Sequence, residues 1–275
     1  MSDTALLEQR AIRLRAAGVV QASEAQALAQ ARTFGLPGFD PDALAELQVL
    51  VVGCGAVGGE LAQGLVRSGV GHVLCCDHAS VSPAHLYNQH YVAEDLYQKK
   101  ALRLAHNLKL EAPSPLLLTG LAMGFHEART TSHIRAVSLV VCAVDNDSAR
   151  VEVARWCLEQ ARPAVFCATD ATAEGGFVFV QTARPNEPCF GCLFPEALRA
   201  SASAQRSGGS IEAAKAVAGM ALYAALALAL PRRPWGWRYR SLSLSGSAPD
   251  ETRAVAQRPD CPLCRNVPEA RIVLD

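Results

Sequence analysis

The chain of 275 residues is half hydrophobic and 19% charged, enough apolar content to bury a sizeable core, which excludes a disordered polymer. Its 26 Lys and Arg balance 26 Asp and Glu, and without a basic surplus neither nucleic acid nor an anionic membrane is expected as the main partner. Ten cysteines are too few for a disulfide scaffold, and the charged segment up to Arg15 does not read as a secretory signal; thiols or metal ligands in a reducing, cytoplasmic setting are expected.

In chain order, residues 1–40 read as an Ala-rich helical N-terminal extension, closed by Gly35-Leu36-Pro37-Gly38. An α/β alternation follows. Residues 48–52 predict a short apolar strand, 56–68 a helix and 72–76 a second strand. Residues 95–111 have helical spacing, 116–118 form a weak strand and 139–143 a strong one. Residues 148–161 predict a helix, with further strands at 164–168 and 177–181. Strands that are apolar on both faces and alternate with helices imply an open, mainly parallel α/β sheet covered on both sides. Residues 201–210 are a polar loop. The longest apolar run, 216–230, falls short of the about 20 residues of a membrane span and reads as a buried helix. Residues 238–245 alternate as an amphipathic strand, 271–274 suggest a last one, and Trp235 and Trp237 fit core or dimer contacts. Residues 41–275 are thus expected to form one domain, with a flexible crossover loop near 196–212 and a tail at 246–275.

Directly after the first strand stands Gly53-Cys54-Gly55-Ala56-Val57-Gly58, at the head of a helix. In such a GxGxxG turn the first glycine permits the tight bend, the second lets the backbone approach a phosphate, and the third allows close helix–strand packing. The helix N-terminus adds roughly half a positive charge toward an anion. Asp77 ends the second strand, 19 residues after Gly58, where a carboxylate can accept hydrogen bonds from ribose hydroxyls. NAD, FAD, SAM and ATP all fit this pair. A glycine turn kept for packing alone would leave the acid unexplained.

Cys189-Phe190-Gly191-Cys192 and Cys261-Pro262-Leu263-Cys264 each follow a proline-containing turn. Two CxxC pairs supply four thiolates, the donor set of a closed, structural zinc site. With 69 positions from Cys192 to Cys261, such a site would staple the C-terminal tail to the core. The other six cysteines, at 54, 75, 76, 142, 157 and 167, are expected to be buried small hydrophobes. His85, His90 and His126 lack ligand spacing and are expected at the surface. After the strand at 139–143 comes Val144-Asp145-Asn146-Asp147-Ser148-Ala149-Arg150. Asp145 stands where open α/β sheets place ligands, and a carboxylate facing a triphosphate makes electrostatic sense with Mg²⁺ between them. Asp147 or Ser148 is the expected cap of the next helix.

In order, Gly53 to Gly58, Asp77, Asp145-Asn146 with Arg150, and the segment 188–195 paired with Cys261 and Cys264 resemble the ThiF/MoeB/HesA family, prokaryotic relatives of ubiquitin-activating enzymes. The resemblance runs from about Leu47 to Cys264. It implies a Rossmann-like domain with C-terminal strands, structural Zn²⁺ and a homodimer. It also implies ATP- and Mg²⁺-dependent adenylation of the C-terminal glycine of a ubiquitin-like or sulfur-carrier protein. On that resemblance Asp77 holds the ribose, Lys100 contacts the phosphates with Lys99 second, and Asp145 coordinates Mg²⁺. The remaining nucleotide contacts fall on Gly53, Gly55, Gly58, Gln89 and Asn146. Three departures stand out. Asn88 occupies the place of an expected arginine that would neutralise phosphate charge. The N-terminal arginine motif is also missing, with Arg10, Arg13 and Arg32 as substitutes. Residues 195–219 contain no cysteine, so a thioester there is excluded. The acyl-adenylate is expected to pass to an external acceptor, a sulfurtransferase or a conjugating protein. Adenylation of a short peptide, a degenerate scaffold and an NAD-dependent oxidoreductase are the alternatives.

Overall fold

The computed structural model describes residues 38–112, 116–199, 209–230 and 232–265. The expected N-terminal helices with Arg10, Arg13 and Arg32, the loop 200–208 and the strand at 271–274 lie outside the described residues.

The chain enters through α1 (Pro41–Glu46), whose N-cap Asp40 accepts the backbone N–H groups of Asp42 and Ala43, with proline at the position where its missing N–H costs nothing. Strands β1 (Gln48–Val52), β2 (His72–Cys76), β3 (Leu117–Leu121), β4 (Leu139–Cys142) and β5 (Ala164–Thr169) pair in parallel in the order β3-β2-β1-β4-β5. Helices α2 (Ala56–Ser68), α3 (Lys100–Glu111), α4 (Phe125–Ala128) and α5 (Asp147–Glu159) connect them. The sheet then turns antiparallel through β6 (Gly175–Gln181), β7 (Tyr239–Ser243) and β8 (Glu251–Arg253). Only residues 170–174 join β5 to β6, too few for a parallel crossover of about a dozen residues. Asp170 closes that turn by accepting the N–H groups of Thr172 and Glu174. Between β6 and β7 lie α6 (Phe190–Leu193) and α7 (Ile211–Ala229).

Strand residues alternate between two cores. Val49 and Val51 of β1 face one layer with Leu61, Leu65, Leu104 and Val217; Leu50 and Val52 face the other with Phe125, Val153, Phe166 and Phe179. This period of two on fully apolar strands is what a sheet covered on both faces requires. Helix α7 is long and apolar enough to cross a membrane by length and composition, but half of it is buried inside the fold. Its Val217, Ala221 and Leu226 belong to the first core.

Three expectations change. The helix expected over 95–111 begins at Lys100, because Asp95 makes a turn of its own by accepting the N–H of Val92, and Tyr97 takes a left-handed φ of 66°. The cap of α5 is Asn146, whose Oδ1 accepts the N–H of Ala149, rather than Asp147 or Ser148. Strand β8 has no counterpart in the sequence pattern, since its three residues are all exposed.

Candidate active site

The parallel strand order reverses between β1 and β4, and in open α/β sheets ligands bind in the crevice at the carboxyl ends of such strands. Gly53 follows β1, Asp77 follows β2 and Asp145 lies just past β4. Gly53 has φ 93°, and a Cβ there would sit 2.7 Å from the Ala143 carbonyl. At Gly58 a Cβ would lie 1.9 Å from the Gly53 carbonyl, so this glycine is fixed by helix–strand packing. Above Gly55 the space is open, with Gln89 Nε2 the nearest atom at 4.0 Å. Gly55 is also the N-cap of α2 and offers no side-chain cap, which leaves the first-turn N–H groups free of any capping side chain to meet an anion.

The Asp77 carboxylate ties this loop down. Its Oδ2 accepts the Cys54 N–H at 2.8 Å and its Oδ1 the Ala79 N–H at 2.8 Å. One loop N–H is therefore spent on Asp77, while each carboxylate oxygen keeps a second acceptor position. Lys100 opens α3, donates its backbone N–H to Ala79 and is 6% exposed. Burial pulls its ammonium below the ordinary lysine range, against the attraction of Asp77 and Asp145. Lys99 points elsewhere, donating to the His78 carbonyl at 2.8 Å. Asp145 is exposed. Beside it the buried Arg150 bonds Asp147 at 2.7 Å and the Val144 carbonyl at 2.8 Å, clamping the turn that carries Asp145 onto α5. Asn146 spends its Oδ1 on the helix cap. Asn88 is half-buried and donates to the Gly209 carbonyl at 3.3 Å, two residues before α7 begins.

The structure thus gathers Gly53, Gly55, Gly58, Asp77, Gln89, Lys100 and Asp145 at one crevice. Two of its residues escaped the sequence reading. Tyr91, buried, donates its hydroxyl to the Cys54 carbonyl at 2.7 Å and sits 3.4 Å from the Lys100 carbonyl, locking the glycine loop to α3; an isolated tyrosine carries no signal of this. His85, expected at the surface, lies with Nε2 3.4 Å from Lys100 Nζ. The signal was local: Pro83 starts a short turn and Ser82 stands three residues before the histidine. His90 pairs with Glu111 at 2.7 Å and the exposed His126 with Glu152 at 2.8 Å.

The pattern of the ThiF family matches residues 26–263. The chain belongs to the ThiF family. It is 30% identical over 178 residues to a molybdopterin-synthase adenylyltransferase of Salmonella typhimurium, covering 64% of this chain and 71% of that one. A sulfur carrier protein adenylyltransferase of Thermus thermophilus is 30% identical over 262 residues, covering 87% and 91%. Among solved structures, Escherichia coli MccB with succinimide superposes with a TM-score of 0.67 at 14% identity, over 82% of this chain and 68% of that one, a likeness of fold.

In this ThiF-family chain the four CxxC cysteines come together, all buried. Cys189 Sγ lies 3.8 Å from that of Cys192 and 3.5 Å from that of Cys261, and Cys192 lies 3.4 Å from Cys264; all four are within 4.8 Å of one another. A tetrahedron with zinc–sulfur bonds of about 2.3 Å has edges of about 3.8 Å, so the set fits one zinc ion with no open position. The Arg258 N–H donates to Cys192 and the Gln257 amide to Cys264, bonds that favour thiolates. Gln181, fully buried, donates to the Ala154 carbonyl and accepts the Phe190 N–H, each at 3.0 Å, and so ties the knuckle to α5. The six remaining cysteines are buried as expected. Burial pushes the Cys76 and Cys142 thiols up to about 12, which makes them poor nucleophiles at neutral pH.

Proposed function

We propose that the chain is an ATP-dependent adenylyltransferase that activates the C-terminal glycine carboxylate of a sulfur-carrier or ubiquitin-like protein. The observation that carries this is the convergence of Lys100 with Asp77, Asp145 and an open glycine-capped helix N-terminus at one crevice. Relatives named for adenylyl transfer, one of them to a sulfur carrier, support it.

In this reading the spare lone pairs of Asp77 take the ribose hydroxyls. Gly55 lets the phosphates cross the head of α2, and Lys100 neutralises charge on them. Asp145, exposed at the crevice, has the hard oxygen donors that Mg²⁺ prefers, and the ion would offset the charge between that carboxylate and the triphosphate. A carboxylate oxygen of the partner's terminal glycine forms a bond to the α-phosphorus while the bond to pyrophosphate breaks. The products are an acyl-adenylate and pyrophosphate. The protein supplies positioning and charge stabilisation and no covalent nucleophile. A nucleophile of an external acceptor, held on a sulfurtransferase or a conjugating protein, bonds to the acyl carbon while the bond to the phosphate oxygen breaks and AMP leaves, since residues 195–219 offer no cysteine.

ATP–pyrophosphate exchange tests the assignment, with a captured small protein ending in Gly-Gly as the partner. Asp145→Ala is expected to lower exchange by at least about 100-fold. Exchange at the wild-type rate in this variant would overturn the role of Asp145, and a wild-type chain that neither binds ATP nor exchanges would overturn the function.

A further inference from the structure

Ser82, Pro83, Ala84 and His85 form one tight turn whose backbone holds the His85 ring. The Ser82 N–H donates to Nδ1 at 2.9 Å, with the Ser82 hydroxyl oxygen 3.2 Å away. A backbone N–H can only donate, so Nδ1 is an acceptor without a proton, and the neutral ring carries its hydrogen on Nε2. That Nε2 faces Lys100 Nζ at 3.4 Å. The ammonium is also a donor without acceptor capacity. Two fixed donors therefore point into the same space, and neither can satisfy the other. Burial and the neighbouring Lys100 both disfavour a charged ring, while Asp77 opposes them.

We infer that His85 Nε2–H and Lys100 Nζ together bind one phosphoryl oxygen of the nucleotide, with His85 as a neutral donor in the absence of an arginine at position 88. A single anionic oxygen between them resolves the facing donors. The glycine loop and the start of α3 that carries Lys100 are held side by side, because Tyr91 bonds both the Cys54 and the Lys100 carbonyls. This rests on the nucleotide reading above and adds a residue to it.

The test uses the full chain and titration calorimetry with ATP–Mg²⁺ and with adenosine. His85→Phe keeps the ring shape without the donor and is expected to weaken ATP binding by about 10- to 100-fold while leaving adenosine unchanged. His85→Gln, which retains an N–H near that place, is expected to stay within about threefold of wild type. Nitrogen-15 NMR of the wild-type chain should show an unprotonated Nδ1 and an Nε2–H whose signal moves when ATP is added but not when adenosine is added. Equal ATP binding by His85→Phe and wild type, or an Nε2 signal blind to ATP, overturns the His85 assignment alone. Parallel loss of ATP and adenosine in both variants also overturns it, as a structural role. A wild-type chain that binds no ATP overturns the nucleotide reading, and the His85 assignment falls with it.

Discussion

Asp95 shows how one buried charge can be worth more to the fold than to the chemistry. It is fully buried, and its carboxylate accepts Arg103 Nε at 2.5 Å, Asn107 Nδ2 at 2.7 Å and the Val92 N–H at 3.0 Å. Burial alone would raise its pKa, but the Val92 N–H, the Asn107 amide and the Arg103 guanidinium outweigh it and hold the carboxyl below the usual carboxylate range. Asp95→Ala leaves all three donors without their acceptor and should cost about 3 kcal/mol, read as a lower unfolding midpoint in urea. The pH dependence follows from the same shift. The contribution is present above the ordinary carboxylate value of about 4, where both states are ionised. It is lost as pH falls through the lower folded value, because the unfolded chain takes its proton first. Asp95→Asn should therefore flatten the acid limb of stability against pH; an unchanged limb would assign acid unfolding to other groups.

Helices α2 and α7 test how glycine is used within an element. Gly58 sits in the first turn of α2 with the Gly53 carbonyl where a Cβ would go, whereas Gly219, exposed on α7, has nothing within 4 Å of that position. Gly58→Ala must push α2 off β1 and should destabilise by about 3 kcal/mol, with loss of ATP binding. Gly219→Ala removes backbone freedom from the unfolded chain at no steric cost and should stabilise by about 0.5 to 1 kcal/mol. Thermal melts of the two variants separate these outcomes. Equal effects would mean that the glycine turn yields more readily than its packing implies.

At the scale of the molecule, the four-cysteine cluster joins the segment after β6 to the segment after β8, residues 72 apart for each cross-pair. A structural ion here would link the antiparallel half of the sheet to its own tail, and its binding energy would become folding energy. Elemental analysis is expected to find one zinc per chain. Cys264→Ser or prolonged chelation should lower the melting midpoint by about 5 to 10 °C, and adenosine affinity should hold while the chain stays folded, since the cluster lies away from the crevice. A zinc-free protein whose midpoint is indifferent to Cys264→Ser would rule out the ion.

Much of this was legible along the chain because it depends on local pattern. Apolar runs of strand length marked β1, β2, β4 and β5, and the glycine turn announced its own bend. The CxxC pairs named the four-cysteine cluster, since thiol spacing within each pair is a covalent property. Tertiary structure decided what depends on approach between distant residues. It showed that Asn146 rather than Asp147 caps α5, and that Asn88 holds Gly209. It also turned His85 toward Lys100, 15 positions away. Such contacts rest on where two elements meet, and a single side chain carries no periodic trace of its distant partner. The antiparallel half of the sheet falls between these cases: the short link after β5 required a hairpin, but only the paired strands revealed β8 at the edge.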